Sequence, residues 1–354
     1  MAIEDGTKTG SDGEPIHILV NFPLAEAEQA AIRAVSPRVQ LDMSMMPEAP
    51  EAAAPGGATR PAPGWRRLSD AELAPLLARA EVLFTFRFPV EWLAAAPAIR
   101  WVQLTSAGVD HMIEAGLFRA RPDVAVTTAS GIHAVPISEH VIAGILAFAR
   151  GFVGAMHAQR EARWDRYAPD EAAGKTLGII GYGPIGRRTA RLAAALDMHV
   201  QVLRNTPQPA PEPPVERFYR PDELHELLAA SDYVLLAAPN TPATHHLIDA
   251  AALAAMRPGA VLINIARGGL VDEPALIAAL QGGQIKGAAL DVFAQEPLPA
   301  DSPLWGMPNV LITPHLAGAN PHYNRRATEL FCENLRRYLA GAPLQNLVDP
   351  ARGY

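Results

Sequence analysis

The chain has 354 residues, 49% of them hydrophobic, and a formal net charge of −7. That length supplies two ordinary domains with cores of their own. The acidic balance, with no basic stripe, argues against a nucleic-acid partner, and the lone cysteine, Cys332, leaves no internal disulfide and no sign of an oxidising compartment.

The first residues, 1–14, are polar and read as a frayed tail without a signal core. Strands are expected over 16–20 and 39–43, with a helix over 25–35 between them. Residues 47–64 are crowded with Pro, Ala and Gly and read as a long surface loop. Ser69, Asp70 and Glu72 carry helix-start chemistry for a helix reaching about Ala80. Strands over 81–86 and 99–104 flank a short helix over 91–96, and the second strand leads into Thr105-Ser106-Ala107-Gly108. Another strand, 124–128, precedes a strongly apolar helix that ends near Arg150. Its longest apolar run, 141–149, is too short to span a bilayer, so a soluble cytoplasmic protein with no membrane partner is expected. Residues 155–167 alternate charged and aromatic groups, Trp164 among them, and read as a surface arm or an interface element.

Next comes Thr176-Leu-Gly-Ile-Ile-Gly181-Tyr-Gly183-Pro184-Ile185-Gly186, followed by an alanine-rich amphipathic helix over about 185–196. A strand, a G-x-G-x-x-G turn and a helix in that order are the dinucleotide-binding pattern. Gly181 permits the turn, Gly183 lets a pyrophosphate approach the backbone, and Gly186 lets helix and strand pack closely. The amides at the helix start, at the positive end of its dipole, would hold the phosphates. A second strand over 198–203 ends where the ribose-reading residue belongs, at Arg204-Asn205-Thr206, just before five prolines in 207–214.

Strands over 233–237, 260–265, 286–290 and 310–313 then alternate with helices over 222–230, 247–256 and 273–281, and a long helix over 322–339 closes the chain. This alternation predicts parallel sheets in both halves. Ligands in such sheets sit beyond the carboxyl ends of the strands. Arg267, Asp291 and His315 each follow such an end, and Glu296 lies five residues past Asp291. Taken singly, a surface ion pair, a solvated loop acid and a satisfied turn histidine are the plainer readings. Together on a dinucleotide-binding sheet they supply a cation, an acid–base group and its orienting carboxylate. No metal is called for.

The series Gly181-Tyr-Gly183-Pro-Ile-Gly186, Asn264-Ile-Ala-Arg267-Gly268, Ala289-Leu-Asp291-Val-Phe-Ala-Gln-Glu296-Pro297 and Thr313-Pro-His315-Leu-Ala-Gly318 resembles the NAD(P)-dependent D-isomer-specific 2-hydroxyacid dehydrogenases, over about 16–348. The resemblance implies an α/β protein. A Rossmann-type doubly wound cofactor domain, about 131–316, would be paired with a split flavodoxin-like substrate domain, 1–130 plus 317–354. It implies a cleft that closes on binding, and a homodimer. By matching position, Arg267 would bind the substrate carboxylate and keto oxygen, His315 would be the acid–base group, and Glu296 its partner. The backbone at Ser106, Ala107 and Gly108 would help hold the carboxylate. Pro184 and Ile185 would lie at the pyrophosphate, and Pro239, Thr244, Ile265, Ala266, Asp291 and Gly318 would line the rest of the cofactor.

The implied reaction is reduction of a small 2-keto acid such as glyoxylate or hydroxypyruvate. Hydride reaches one face of the carbonyl and a proton from His315 reaches its oxygen. Arg267 grips the planar carboxylate in a two-point fork that lysine cannot copy. A non-catalytic dinucleotide-sensing protein, which related corepressors resemble, is the second reading. The chain departs from an NAD-selective pattern at Arg204, where an acid belongs, so NADP(H) is expected to be favoured, with NAD(H) the alternative. Ala237-Ala238 before Pro239, where many relatives carry a histidine, and the 47–64 insertion are lesser departures.

Overall fold

Short runs of branched apolar residues become parallel strands, and the helices between them cover both faces of two separate sheets. The structure is a computed structural model, and it describes residues 13–47, 64–205 and 213–350. Residues 1–12 of the expected tail, nearly all of the 47–64 loop, Thr206 and most of the 207–214 proline run lie outside the described residues. The chain forms two compact units, Met1–Ile132 with Pro321–Tyr354, and His133–Asn320. Breaks were expected after residues 130 and 316.

In the first unit the elements run β1 (Ile16–Val20), α1 (Glu26–Arg33), β2 (Val39–Met43), β3 (Met45–Pro47), β4 (Trp65–Arg67), α2 (Asp70–Arg79), β5 (Val82–Thr85), α3 (Trp92–Ala95), β6 (Trp101–Leu104), α4 (Asp110–Glu114), α5 (Leu117–Ala120) and β7 (Ala125–Thr127). The main sheet has the order β2-β1-β5-β6-β7, with every pairing parallel. Alternation along the strands decides the two faces. Leu19, Leu83 and Val102 pack with Leu73 and Leu77 of α2. Ile18, Val82, Phe84 and Trp101 point the other way.

The second unit opens with α6 (Ala134–Ala149) and α7 (Phe152–Arg160). It continues through β8 (Thr176–Ile180), α8 (Pro184–Ala194), β9 (His199–Leu203), β10 (Arg217–Tyr219), α9 (Leu224–Ala230), β11 (Tyr233–Leu236), α10 (Ala250–Ala255), β12 (Val261–Asn264), α11 (Glu273–Gln281), β13 (Gly287–Leu290) and β14 (Val310–Ile312). Its sheet has the order β10-β9-β8-β11-β12-β13-β14 and is parallel throughout. The order reverses between β8 and β11, which makes that crevice the topological switch point of a Rossmann-type doubly wound sheet. No single helix among the described residues is long and apolar enough to cross a membrane; α6 and α7 meet that test only as a pair bent by 68°. The inner side of α6, with Val141 and Ile145, is spent inside its own unit against Leu177 and Ile179 of β8.

The last helix, α12 (Tyr323–Leu339), belongs to the first unit. Its Phe331 stacks on Phe84 at 4.2 Å and on Trp101 at 5.2 Å, which supplies the apolar cover that the second face of that sheet needs. With the β3–β4 hairpin set aside, the five-stranded order is the flavodoxin-like one, and α12 is what makes the unit split in sequence.

Several elements differ from the sequence-based expectations for local reasons. The helix expected from 247 starts at Ala250, because Ile248 bridges to Val271 and the Asp249 carboxylate caps the Ala252 amide at 2.8 Å. Half of the expected arm is helical: Gly151, at φ 71, turns the chain from α6 into α7. Strands β4 and β10 and helices α4 and α5 are too short to carry a periodic signal. The two strands exist through pairing, as when the Arg204 amide donates to the Tyr219 carbonyl at 3.1 Å.

Candidate active site

The glycine-rich turn is shaped by three different constraints. Gly181 lies at φ 101, and a Cβ there would sit 2.6 Å from the Ala237 carbonyl oxygen, across the switch point. On Gly186 a Cβ would come within 2.4 Å of the Gly181 oxygen, so helix and turn close only on glycine. Around Gly183 nothing lies within 4 Å of the Cβ position. This residue is the N-cap of α8, Pro184 follows at its start, and no side chain caps that end. Uncapped first-turn amides facing open space suit an anionic group, and the residues present fit a dinucleotide pyrophosphate. Ile185 lies in the same turn, and Arg204 and Asn205 follow the end of β9.

The loops after β11 and β12 are fixed by their own side chains. The Thr244 hydroxyl donates to the Pro239 carbonyl at 2.7 Å and accepts the Thr241 amide at 2.8 Å. Buried Asn264, at the end of β12, accepts the Ala266 amide at 3.1 Å and donates to the Arg267 carbonyl at 2.9 Å. One side-chain amide thus holds Ile265, Ala266 and Arg267 in a set curve. Arg267 Nη1 donates to the Ala266 carbonyl at 2.8 Å. Gly268 then packs so tightly that a Cβ would fall 1.9 Å from the Phe293 carbonyl. This contact brings the arginine loop against the chain that leads to Glu296.

Asp291, at the end of β13, is buried, and its carboxylate accepts three bonds: from the Thr313 hydroxyl at 2.6 Å, the Leu316 amide at 2.9 Å and the Ala317 amide at 3.0 Å. Its carbonyl accepts the His315 amide at 2.8 Å. These bonds hold the turn after β14, where His315 adopts φ 52, an uncommon conformation for a side chain with a Cβ. The carboxylate expected at the cofactor is therefore also the anchor of the histidine turn. His315 Nδ1 lies 2.7 Å from Glu296 Oε2, and Glu296 Oε1 accepts the Phe293 amide at 3.1 Å. Held on the Nδ1 side, the imidazole keeps Nε2 for a reacting group. Gly318, in the same turn, packs toward His133, whose Nδ1 would lie 3.2 Å from its Cβ.

The second unit thus gathers Gly181, Gly183, Gly186, Arg204, Arg267, Asp291, Glu296 and His315 at the carboxyl ends of its strands. Ser106, Ala107 and Gly108 follow β6 in the first unit, where the Ser106 hydroxyl donates to the Gly108 carbonyl at 2.8 Å. Tyr323 of α12 donates to the Thr105 carbonyl at 2.8 Å, and burial pushes its hydroxyl pKa up, so it remains a neutral donor. Sequence reasoning missed Asn264, Thr313 and Phe293 as supports. Only Asn264 left a signal, as an amide ending an apolar strand.

Comparison with known proteins bears on this geometry. The sequence model of the D-isomer specific 2-hydroxyacid dehydrogenase NAD binding domain matches residues 142–317. An (S)-sulfolactate dehydrogenase from Chromohalobacter salexigens is 40% identical over 252 residues, 70% of this chain and 80% of that protein. The chain belongs to the D-isomer specific 2-hydroxyacid dehydrogenase family. Glyoxylate/hydroxypyruvate reductase B of Citrobacter koseri is 38% identical, over 73% of this chain and 80% of the relative. A family member from Xanthobacter autotrophicus Py2, solved with NADPH and MES, superposes with a TM-score of 0.78 at 33% identity, covering 96% of this chain and all of that one. This 2-hydroxyacid dehydrogenase is an NAD(P)-dependent oxidoreductase that acts on CH–OH donors and on the corresponding 2-keto acids. The comparisons do not favour the dinucleotide-sensing binding protein.

Proposed function

We propose that this dehydrogenase works as an NADP(H)-preferring reductase of small 2-keto acids of the glyoxylate and hydroxypyruvate kind. The observation that carries the reading is the Glu296–His315 pair at 2.7 Å, which commits Nδ1 and leaves Nε2 for the substrate oxygen. Bound dinucleotide supplies or takes up the hydride. Arg267 binds the substrate carboxylate and orients the keto carbon, while His315 gives a proton to the carbonyl oxygen and recovers it in the reverse direction. Glu296 holds the imidazole in one orientation.

Two of the relatives' names agree with this reading. The Citrobacter koseri relative is a glyoxylate/hydroxypyruvate reductase. An NADPH-dependent glyoxylate/hydroxypyruvate reductase from Sinorhizobium meliloti, solved with NADP and sulfate, superposes with a TM-score of 0.77 at 25% identity, covering 96% of this chain and all of that one. The NADP(H) preference rests on Arg204, which would grip a 2′-phosphate where an NAD site places an acid.

The direct experiment follows oxidation of NADPH and NADH with a panel of 2-keto acids. Turnover of glyoxylate or hydroxypyruvate, faster with NADPH, is expected. Tight NADPH binding with no turnover of any keto acid would contradict the reading and restore the sensing alternative.

We further propose that the protein works in the cytoplasm as a two-fold homodimer. Phe152 and Met156 of α7, and Trp164 and Tyr167 of the arm, stay at least half exposed. A second copy of the chain would bury them. Light scattering at micromolar concentration should give twice the monomer mass; a monomer mass would refute the dimer.

A further inference from the structure

The end of β9 carries an aromatic support that the cofactor reading does not use. The Arg204 guanidinium carbon lies 5.7 Å from the centroid of the Phe218 ring. Phe218 sits on β10, where it pairs with Val202, and the Arg204 amide donates to the Tyr219 carbonyl at 3.1 Å. Backbone pairing therefore fixes the ring relative to the end of β9. From the other side, Tyr182 of the glycine-rich turn meets Phe218 edge to face, with centroids 5.6 Å apart and planes at 73°. Arg187, in the first turns of α8, lies 4.7 Å over the Tyr182 ring. Helical side chains lean toward the N-terminus, which carries Arg187 back over the turn. One aromatic pair thus bears two guanidinium groups beside the dinucleotide-binding turn.

From this arrangement we infer that Phe218 is a specificity-determining residue for the dinucleotide, acting as a positioning residue through Arg204. An arginine loses much rotamer freedom when it grips a phosphate. A ring face that already holds the guanidinium takes part of that loss before the ligand arrives, so the free energy of the grip is spent less on ordering. The contact is electrostatic and needs a π face, not a particular side-chain volume. Only a ligand with a 2′-phosphate uses Arg204 in this way; an unphosphorylated ribose does not. Phe218 therefore shifts NADPH affinity and leaves NADH affinity alone.

The inference rests on the NADP(H) reading above, and a mutant cycle separates the two. Dissociation constants for NADPH and NADH are measured by calorimetry, without substrate, for the wild type, Phe218→Leu, Phe218→Tyr, Arg204→Gln and the Phe218→Leu/Arg204→Gln double variant. Phe218→Leu should weaken NADPH binding by roughly two- to fivefold, the range of an exposed cation–π contact, with NADH unchanged. Phe218→Tyr, which keeps the ring face, should behave as the wild type. Phe218→Leu should have no further effect once Arg204 is gone. A wild type that binds NADH more tightly overturns both the cofactor reading and this inference. In an NADPH-preferring protein, the inference alone is overturned in any of three cases: Phe218→Leu leaves NADPH binding unchanged or tightens it, weakens both dinucleotides equally, or acts as strongly without Arg204.

Discussion

Glu296 spans two partners at once: Oε2 lies 2.7 Å from His315 Nδ1, and Oε1 accepts the Phe293 amide at 3.1 Å. Phe293 is also the residue against which Gly268 closes, directly after Arg267. The carboxylate therefore ties the histidine to the segment that abuts the arginine loop. In Glu296→Gln the side chain keeps a single acceptor oxygen and loses its charge. It can satisfy either the imidazole or the Phe293 amide. Replacing a charge-assisted bond should lower kcat by roughly tenfold to a hundredfold, with the NADPH dissociation constant little changed. A kcat equal to that of the wild type would show that the contact does not serve catalysis.

The glycines of the turn separate stability from binding. Gly186→Val pushes a side chain into the Gly181 oxygen, which would lie 2.4 Å from its Cβ, so the melting temperature should fall. Gly183→Val has nothing within 4 Å of its Cβ and needs no positive φ, so the fold should tolerate it. Its side chain would stand where the pyrophosphate approaches, and NADPH affinity should drop at least tenfold. Equal melting losses in both variants, or undiminished NADPH binding in Gly183→Val, would refute this division.

Arg267 is placed by Asn264, which bonds both the Ala266 amide and the Arg267 carbonyl, and its Nη1 donates to the Ala266 carbonyl. Arg267→Lys keeps the charge and loses the planar fork. The value of kcat/KM for the best keto acid should fall by roughly tenfold to a hundredfold. The loss should shrink for a carbonyl substrate without a carboxylate. An unchanged kcat/KM would remove the carboxylate role from this residue.

The helices around these residues were legible from their period, and the short buried strands from their unbroken apolar runs. The 176–196 stretch announces strand, turn and helix, and the apolar runs at 233–236 and 261–264 end where the polar groups begin. Placing Arg267, Asp291, Glu296 and His315 at strand ends followed from that pattern. What held them there did not. Two of the three bonds that Asp291 accepts from the His315 turn, and the fit of Gly268 against the Phe293 carbonyl, join residues 25 or 26 positions apart through backbone groups that every residue possesses; the third comes from the Thr313 hydroxyl, 22 positions away. Composition carries no trace of such bonds. The strand β10 was hidden for a related reason: three residues become a strand only because β9 offers an edge.

The central claim is that His315 is the acid–base group of a 2-keto acid reductase. Its most direct test is kcat for His315→Ala with the best keto acid, measured beside the NADPH dissociation constant of the same variant. The account predicts a loss of roughly 10²–10⁴ in kcat, about 3–5 kcal/mol of barrier, with NADPH affinity within about twofold of the wild type. A variant that retains near wild-type kcat would contradict it.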